Sequence, residues 1–153
     1  MSKGYCEQVS EFTRLAYDDI PHMPCKMNNK QVRFIAEMVN SEMIELAQAQ
    51  CLTDQVDALL DAIYYIQDCA IKMNVDLDPL FAIVHAANMR KVVDGGLIKD
   101  EKGKVCKPKG WYGPEDELLT ELKRQYDIRW AEWARGQDGE TQTQSPQARD
   151  KKA

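Results

Sequence analysis

Residues 56–73 read VDALLDAIYYIQDCAIKM, and no other stretch constrains the fold of this chain so tightly. At about 100° per residue, Val56, Leu59, Ile63, Ile66, Ala70 and Met73 cover one side of a helix, while Ala58, Ala62, Tyr65 and Cys69 cover much of the rest. A helix that is apolar nearly all round belongs inside a bundle, not on its surface. Yet Asp57, Asp61 and Asp68 fall within about 40° of one another on the same helix, bordered by Leu60 and Tyr64. A carboxylate inside a bundle is strongly unfavourable unless it is paired or bound to a cation, and several on one line also repel each other. The fold must therefore enclose this helix and supply positive charge along one line of it.

A second helix is predicted from Gln31 to about Gln50, with Val32, Ile35, Val39, Met43 and Leu46 recurring at three- and four-residue steps. Its apolar stripe centres on Val32, Val39, Met43 and Leu46, with Ile35 at one edge. Glu42 and Glu45 lie about 60° apart on that edge, in the sector of Met38 and Ala49. The solvated back is formed instead by Arg33, Glu37, Ser41 and Gln48. Taken alone, such a pair reads as two glutamates reaching to water from the rim of a core stripe. Beside the aspartates of the next helix it reads differently, because these helices carry too few basic residues to neutralise the acids.

Four carboxylates from two facing helices, Glu42 and Glu45 with Asp57 and Asp61, supply hard oxygen ligands suited to Mg²⁺, with Mn²⁺ as a second possibility. Asp68, two turns beyond Asp61, is expected to face solvent or to support the site from outside. Iron and zinc fit poorly. A di-iron bundle adds Glu-x-x-His motifs, and His85, the histidine placed on a helix, has no glutamate three residues before it. The five cysteines form no C-x-x-C pair, and with two histidines they make no soft ligand set, so reduced structural thiols are expected.

The rest of the pattern completes an all-α bundle of four to five helices. Val9–Tyr17 is a short amphipathic helix, followed by a loop broken by Pro21, Pro24 and paired asparagines. Thr53 is a candidate N-cap for the helix that runs to about Met73. A third long helix is expected after Asp78, with Pro79 in its first position, continuing until Gly95-Gly96. These three long helices are expected to stack as most of the core. Residues 97–114 hold three glycines, two prolines and five lysines, which predicts a basic loop or small hairpin. A last helix spans roughly Glu115–Ala134. One domain is expected over residues 1–135, with a disordered polar tail over 136–153.

An all-oxygen Mg²⁺ site usually serves phosphates. Asn88 and Lys91, three residues apart, place an amide and an ammonium on one side of the third helix, where phosphate oxygens can meet them. Lys91 is equally explained as a cation near a helix C-terminus. In the basic loop, Lys104, Lys107 and Lys109 stand beside Trp111, whose ring either stacks on a base or anchors the loop. The formal charge of −5 argues against a general nucleic-acid surface. No apolar run is long enough to span a membrane, and MSKGYCEQ lacks the apolar core of a secretory signal, so a cytoplasmic protein without membrane partners is expected.

SEMIEL, then VDALLDAIYYI, HAANMRKV and GKVCKPKGW, occur in the order found in the MazG-type all-α nucleoside triphosphate pyrophosphohydrolases. Over roughly Val9–Pro114 the chain resembles the phosphoribosyl-ATP pyrophosphohydrolase-like group of that superfamily. The resemblance implies hydrolysis of a nucleoside triphosphate between the α and β phosphates, releasing a monophosphate and pyrophosphate, with a role in nucleotide-pool house-cleaning. It also implies a helical homodimer or homotetramer. On this pattern Glu42, Glu45, Asp57 and Asp61 hold Mg²⁺, and Asn88 and Lys91 match the family's N-x-x-K; Lys107 and Trp111 join them as candidate substrate contacts.

Two departures stand out. Much of the superfamily has E-x-x-D as its second acidic motif, whereas position 58 is Ala here and the upstream acid is Asp57, four residues before Asp61. Many relatives also place a glutamate directly before E-x-x-E, where this chain has Ser41. The base that activates water then falls to Glu42 or Glu45. Two other readings are phosphoribosyl-ATP pyrophosphohydrolase proper and a helical interaction module without catalysis.

Overall fold

The computed structural model describes residues 4–141, without the side chains of 138–141. In chain order it comprises α1 (Tyr5–Ala16), α2 (Asn29–Gln48), α3 (Leu52–Lys72), α4 (Leu77–Met89), β1 (Val92–Val93), β2 (Gly96–Leu97) and α5 (Glu115–Thr141). The architecture is all-α, with one small hairpin between α4 and α5. No helix among the described residues is long and apolar enough to cross a membrane.

Side-chain caps set the starts of α2 and α4. α2 opens on a capping box: Asn28 Oδ1 accepts from the amides of Lys30 and Gln31 at 3.0 Å each, and Gln31 Oε1 accepts from the Asn28 amide at 2.9 Å. α3 starts without such help. Cys51 occupies its N-cap, no side chain caps it, and Thr53 lies inside the first turn instead of capping it. At α4, Asp76 caps by accepting from the Asp78 amide at 3.0 Å. Pro79 is therefore third in the helix, not first, at a position where its missing N–H still has no helical partner.

α4 also ends at Met89, well before the glycine pair. Val92 and Val93 pair antiparallel with Leu97 and Gly96, around Asp94 (φ 50°) and Gly95 (φ 79°). Two successive residues with positive φ make the turn whose twist suits a two-residue hairpin, and β-branched valines favour the strand. Beyond it, Lys99 and Val105 bridge, and Asp100 accepts from the amides of Lys102 and Lys104 at 2.9 Å each. The expected basic loop is thus a folded extension of the hairpin. α5 runs past Ala134 to Thr141, and residues 142–153 of the expected tail lie outside the described residues.

α3 is the centre of the packing. Three residues, Ala49 to Cys51, connect it to α2, so the two lie side by side and antiparallel. α1 packs on α3 through Phe12, whose ring meets Tyr64 edge-on at 5.8 Å. The third long helix does not join this stack as expected. α4 packs chiefly on α5, where the buried Gln125 both accepts from the Asp76 amide and donates to the Asp76 carbonyl, each at 2.9 Å.

Small residues dominate the interior: Ala58, Ala62, Ala70 and Ala87 are buried with Val9, Ile71 and Leu80. Alanine lets helices approach closely, but α1 and α2 then cover only the alanine-rich sides of α3. Val56, Leu59, Leu60, Ile63 and Ile66 stay exposed, Leu60 by 57%. The expectation that α3 is enclosed all round is therefore not met within one chain. α2 is rotated as well: Glu42 is its buried residue, flanked by half-buried Ile35, Met38, Val39 and Leu46, while Val32 and Met43 of the expected stripe face outward.

Candidate active site

Glu42 is 7% exposed and sits where α2 meets α3. Its carboxyl is pushed above the ordinary glutamate range, first by burial and then by the charges of Glu45, Asp61 and Asp57. The four acids singled out from spacing therefore share one electrostatic environment across the two helices. Glu45, Asp57 and Asp61 are exposed, and no cation contributes to the shift at Glu42. The donor set is all carboxylate oxygen, which suits a hard divalent ion. Among the described residues no three Asp, Glu, His or Cys side chains converge closely enough to clasp one. The acids are neighbours in charge without forming a closed cage. Ser41, half-buried ahead of Glu42, brings no acid to the site.

Asp68 does not face solvent. Its Oδ1 accepts from the Thr13 hydroxyl at 2.8 Å, and its Oδ2 pairs with Lys72 Nζ at 2.8 Å. Lys72 also lies over the Tyr17 ring, 3.6 Å from its centroid. Thr13 is fully buried, so this network is the polar joint of α1 on α3. The Asp68–Lys72 pair was readable from its four-residue spacing, whereas Thr13, 55 residues away, carries no local signal.

A second cluster forms at the C-terminal end of α4. Lys91 Nζ donates to Asn88 Oδ1 at 2.7 Å, which puts the predicted amide and ammonium together. Lys107 and Lys91 both face the Trp111 ring, at 4.3 and 5.4 Å from its centroid. The indole N–H donates to the Ala87 carbonyl at 2.9 Å, tying the hairpin to the last turn of α4. Trp111 thus acts as a buckle with Lys107 and the Asn88-bonded Lys91 against its ring. Lys104 and Lys109 are exposed on the loop, and His85 is exposed on α4.

Arg90 completes this corner and was not singled out from the sequence. Its guanidinium stacks on Tyr112 at 4.1 Å and reaches Glu117 of α5 at 3.3 Å. Arginine at a helix C-terminus gives no sign of a partner 27 residues away.

Among the described residues no hydrogen bond or ion pair joins the carboxylates of α2 and α3 to the Asn88–Lys91–Lys107–Trp111 cluster. The first assembly offers carboxylate oxygens, the donor type that divalent cations take, and the second offers amide and ammonium donors, the type that meets phosphate oxygens. A family model described as phosphoribosyl-ATP pyrophosphohydrolase matches residues 9–88. The match takes in both acidic motifs and Asn88, and ends before Lys91, Lys107 and Trp111. No curated protein matches the chain.

Proposed function

This chain belongs to the phosphoribosyl-ATP pyrophosphohydrolase family, whose members are nucleotide pyrophosphohydrolases of the MazG-like all-α superfamily, and on that premise we propose a Mg²⁺-dependent hydrolysis of nucleoside triphosphates between the α and β phosphates. The observation that carries this reading is Glu42, a buried carboxylate whose proton affinity is raised by three further carboxylates and lowered by no cation among the described residues. Glu42, Glu45, Asp57 and Asp61 hold Mg²⁺, or Mn²⁺ in its place. When bound, the ion neutralises phosphate oxygens and acidifies water.

The chain's own groups then position and transfer a proton. Water attacks phosphorus in line, its proton passes to Glu45 or Glu42, and the bond between the α and β phosphates breaks, releasing a monophosphate and pyrophosphate. Glu45 is the better-placed acceptor because it is exposed, while Glu42 is buried. Asn88, Lys91 and Lys107 contact the phosphates, and Trp111 keeps the two lysines in place.

The site is completed by a second copy of the chain. Within one chain the basic cluster is not joined to the acids, and the apolar side of α3 lies open. A homodimer or homotetramer covers Leu59, Leu60 and Ile63 and brings one copy's lysines to the other's carboxylates.

The family match favours one further substrate, phosphoribosyl-ATP, for the same metal site. Pyrophosphate release from the canonical triphosphates, several modified ones and phosphoribosyl-ATP, each with Mg²⁺ and with chelator, separates these readings. Release from triphosphates that stops with chelator supports the first. Release from phosphoribosyl-ATP alone selects the second, and a chain that is neither stabilised by Mg²⁺ nor active on any of them is an interaction module.

A further inference from the structure

We propose that a cavity one heptad away from the carboxylates seats the nucleotide's base and selects bases that present carbonyl oxygens; this rests on the hydrolase reading above. The cavity, about 590 Å³, lies between the loop that precedes α2, the first half of α2 and the last turns of α3. That volume falls within the roughly 300–1,000 Å³ typical of small-molecule sites. Ile35 lines it seven residues before Glu42, and Asp68 lines it seven residues after Asp61. Seven residues return to nearly the same helix face, about 20° short of two turns, and advance about 10 Å along the axis. Because α2 and α3 run antiparallel, both displacements point the same way. The cavity thus lies within a nucleotide's reach of the four acids, and the base sits there when the phosphates meet those acids.

The lining is rich in donors once the engaged groups are set aside. Each Asp68 oxygen already accepts from a neighbour, Oδ1 from Thr13 and Oδ2 from Lys72, and Lys72 covers a face of Tyr17. Phe34, 52% exposed, remains as a flat surface on which a base can stack. The side-chain oxygens of Asn28 and Gln31 are committed to the α2 capping box, which leaves their amide nitrogens as donors. Lys26 and Lys30 add ammonium donors, against the single exposed carboxylate of Asp19. Uracil, thymine, guanine and hypoxanthine present a carbonyl oxygen where cytosine and adenine present an amino group. A wall of donors meets the first group with hydrogen bonds and leaves the second with donor facing donor, which sets this cavity against adenine-bearing phosphoribosyl-ATP and in favour of the nucleoside triphosphate reading.

The test is equilibrium binding of α,β-methylene-UTP and α,β-methylene-CTP to the full chain with Mg²⁺, for the wild type, Gln31→Glu and Phe34→Ala. Gln31→Glu keeps the cap, since a carboxylate accepts from the Asn28 amide as well, but removes the donor. The UTP analogue is expected to bind about tenfold tighter than the CTP analogue in the wild type. Gln31→Glu brings that ratio to one or inverts it, and Phe34→Ala weakens both analogues about tenfold while preserving the ratio. Equal affinities in the wild type, tighter binding of the CTP analogue, or a ratio indifferent to Gln31→Glu would overturn the proposal. Pyrophosphate release from hydrolysable nucleotides is scored separately. Base-selective binding without release upholds the cavity and overturns the hydrolase reading.

Discussion

Glu42 faces α3 at a position where a helix of this packing ordinarily presents an aliphatic side chain, and its consequences are measurable without substrate. A carboxyl whose proton affinity rises on folding binds more protons in the folded than in the unfolded state between the two titration points. Stability of the metal-free protein is therefore expected to fall as pH rises from the ordinary glutamate range through the higher folded value of Glu42. Urea midpoints measured across that range follow it, and saturating Mg²⁺ removes the fall. At a hundredfold excess over its dissociation constant the ion adds about 2.7 kcal/mol of stability. Glu42→Gln is expected to raise metal-free stability, abolish most of the Mg²⁺ effect and lower turnover by about 10²-fold or more.

Glu121 has the opposite sign. Arg124 and then Gln125 hold its carboxyl down to about 2, so its contribution is present above the ordinary glutamate range and is lost as pH falls towards about 2. The two acids thus tilt the pH profile in different windows. Both acidic motifs were legible because three- and four-residue spacings fix side chains to one helix face. The burial of Glu42 was not, since it depends on α2 turning its Met38–Ala49 sector, and not Val32 and Met43, towards α3.

At the scale of elements, polar joints hold together helices whose shared interior is mostly alanine. Thr13→Val keeps the shape of the side chain but removes a fully buried donor from Asp68. It is expected to cost about 1–3 kcal/mol, read as a urea-midpoint shift, because the carboxylate loses a hydrogen bond while staying largely buried. Gln125→Ala removes both bonds to the Asp76 peptide and is expected to loosen α5 from the start of α4. Faster amide exchange at Asp76 and along α4, with α2 and α3 unaffected, is the expected signature. The helices themselves were readable from periodicity, whereas the Asn28–Gln31 box was missed, because the paired asparagines read as loop residues and not as a cap. The early end of α4 was not readable either, because MRKVV continues an acceptable helical pattern and only the Asp94-Gly95 turn decides for a hairpin. That α4 pairs with α5 was equally hidden, for Gln125 gives no local sign of reaching Asp76.

At the scale of the whole molecule, one chain leaves its most apolar helix half uncovered and its two candidate clusters unjoined. The sequence of α3 is written for enclosure on all sides; within one chain that enclosure is met only on its alanine-rich sides, and in the oligomer proposed above another copy supplies the rest. Leu59→Glu with Ile63→Glu is expected to yield a folded but smaller species by sedimentation, without activity. Mixing Glu45→Gln with Lys91→Ala subunits is expected to restore activity that neither has alone, since hybrid oligomers regain one intact site. Failure of that mixture under conditions of subunit exchange would confine the site to one chain. The claim on which all of this depends is that the α2 and α3 carboxylates drive metal-dependent hydrolysis. It is tested most directly by pyrophosphate release from nucleoside triphosphates and phosphoribosyl-ATP at saturating Mg²⁺, wild type beside Glu45→Gln. Release by the wild type with a loss of about 10²-fold or more in the variant is the predicted result; an unchanged rate in the variant, or no release from any nucleotide, would contradict it.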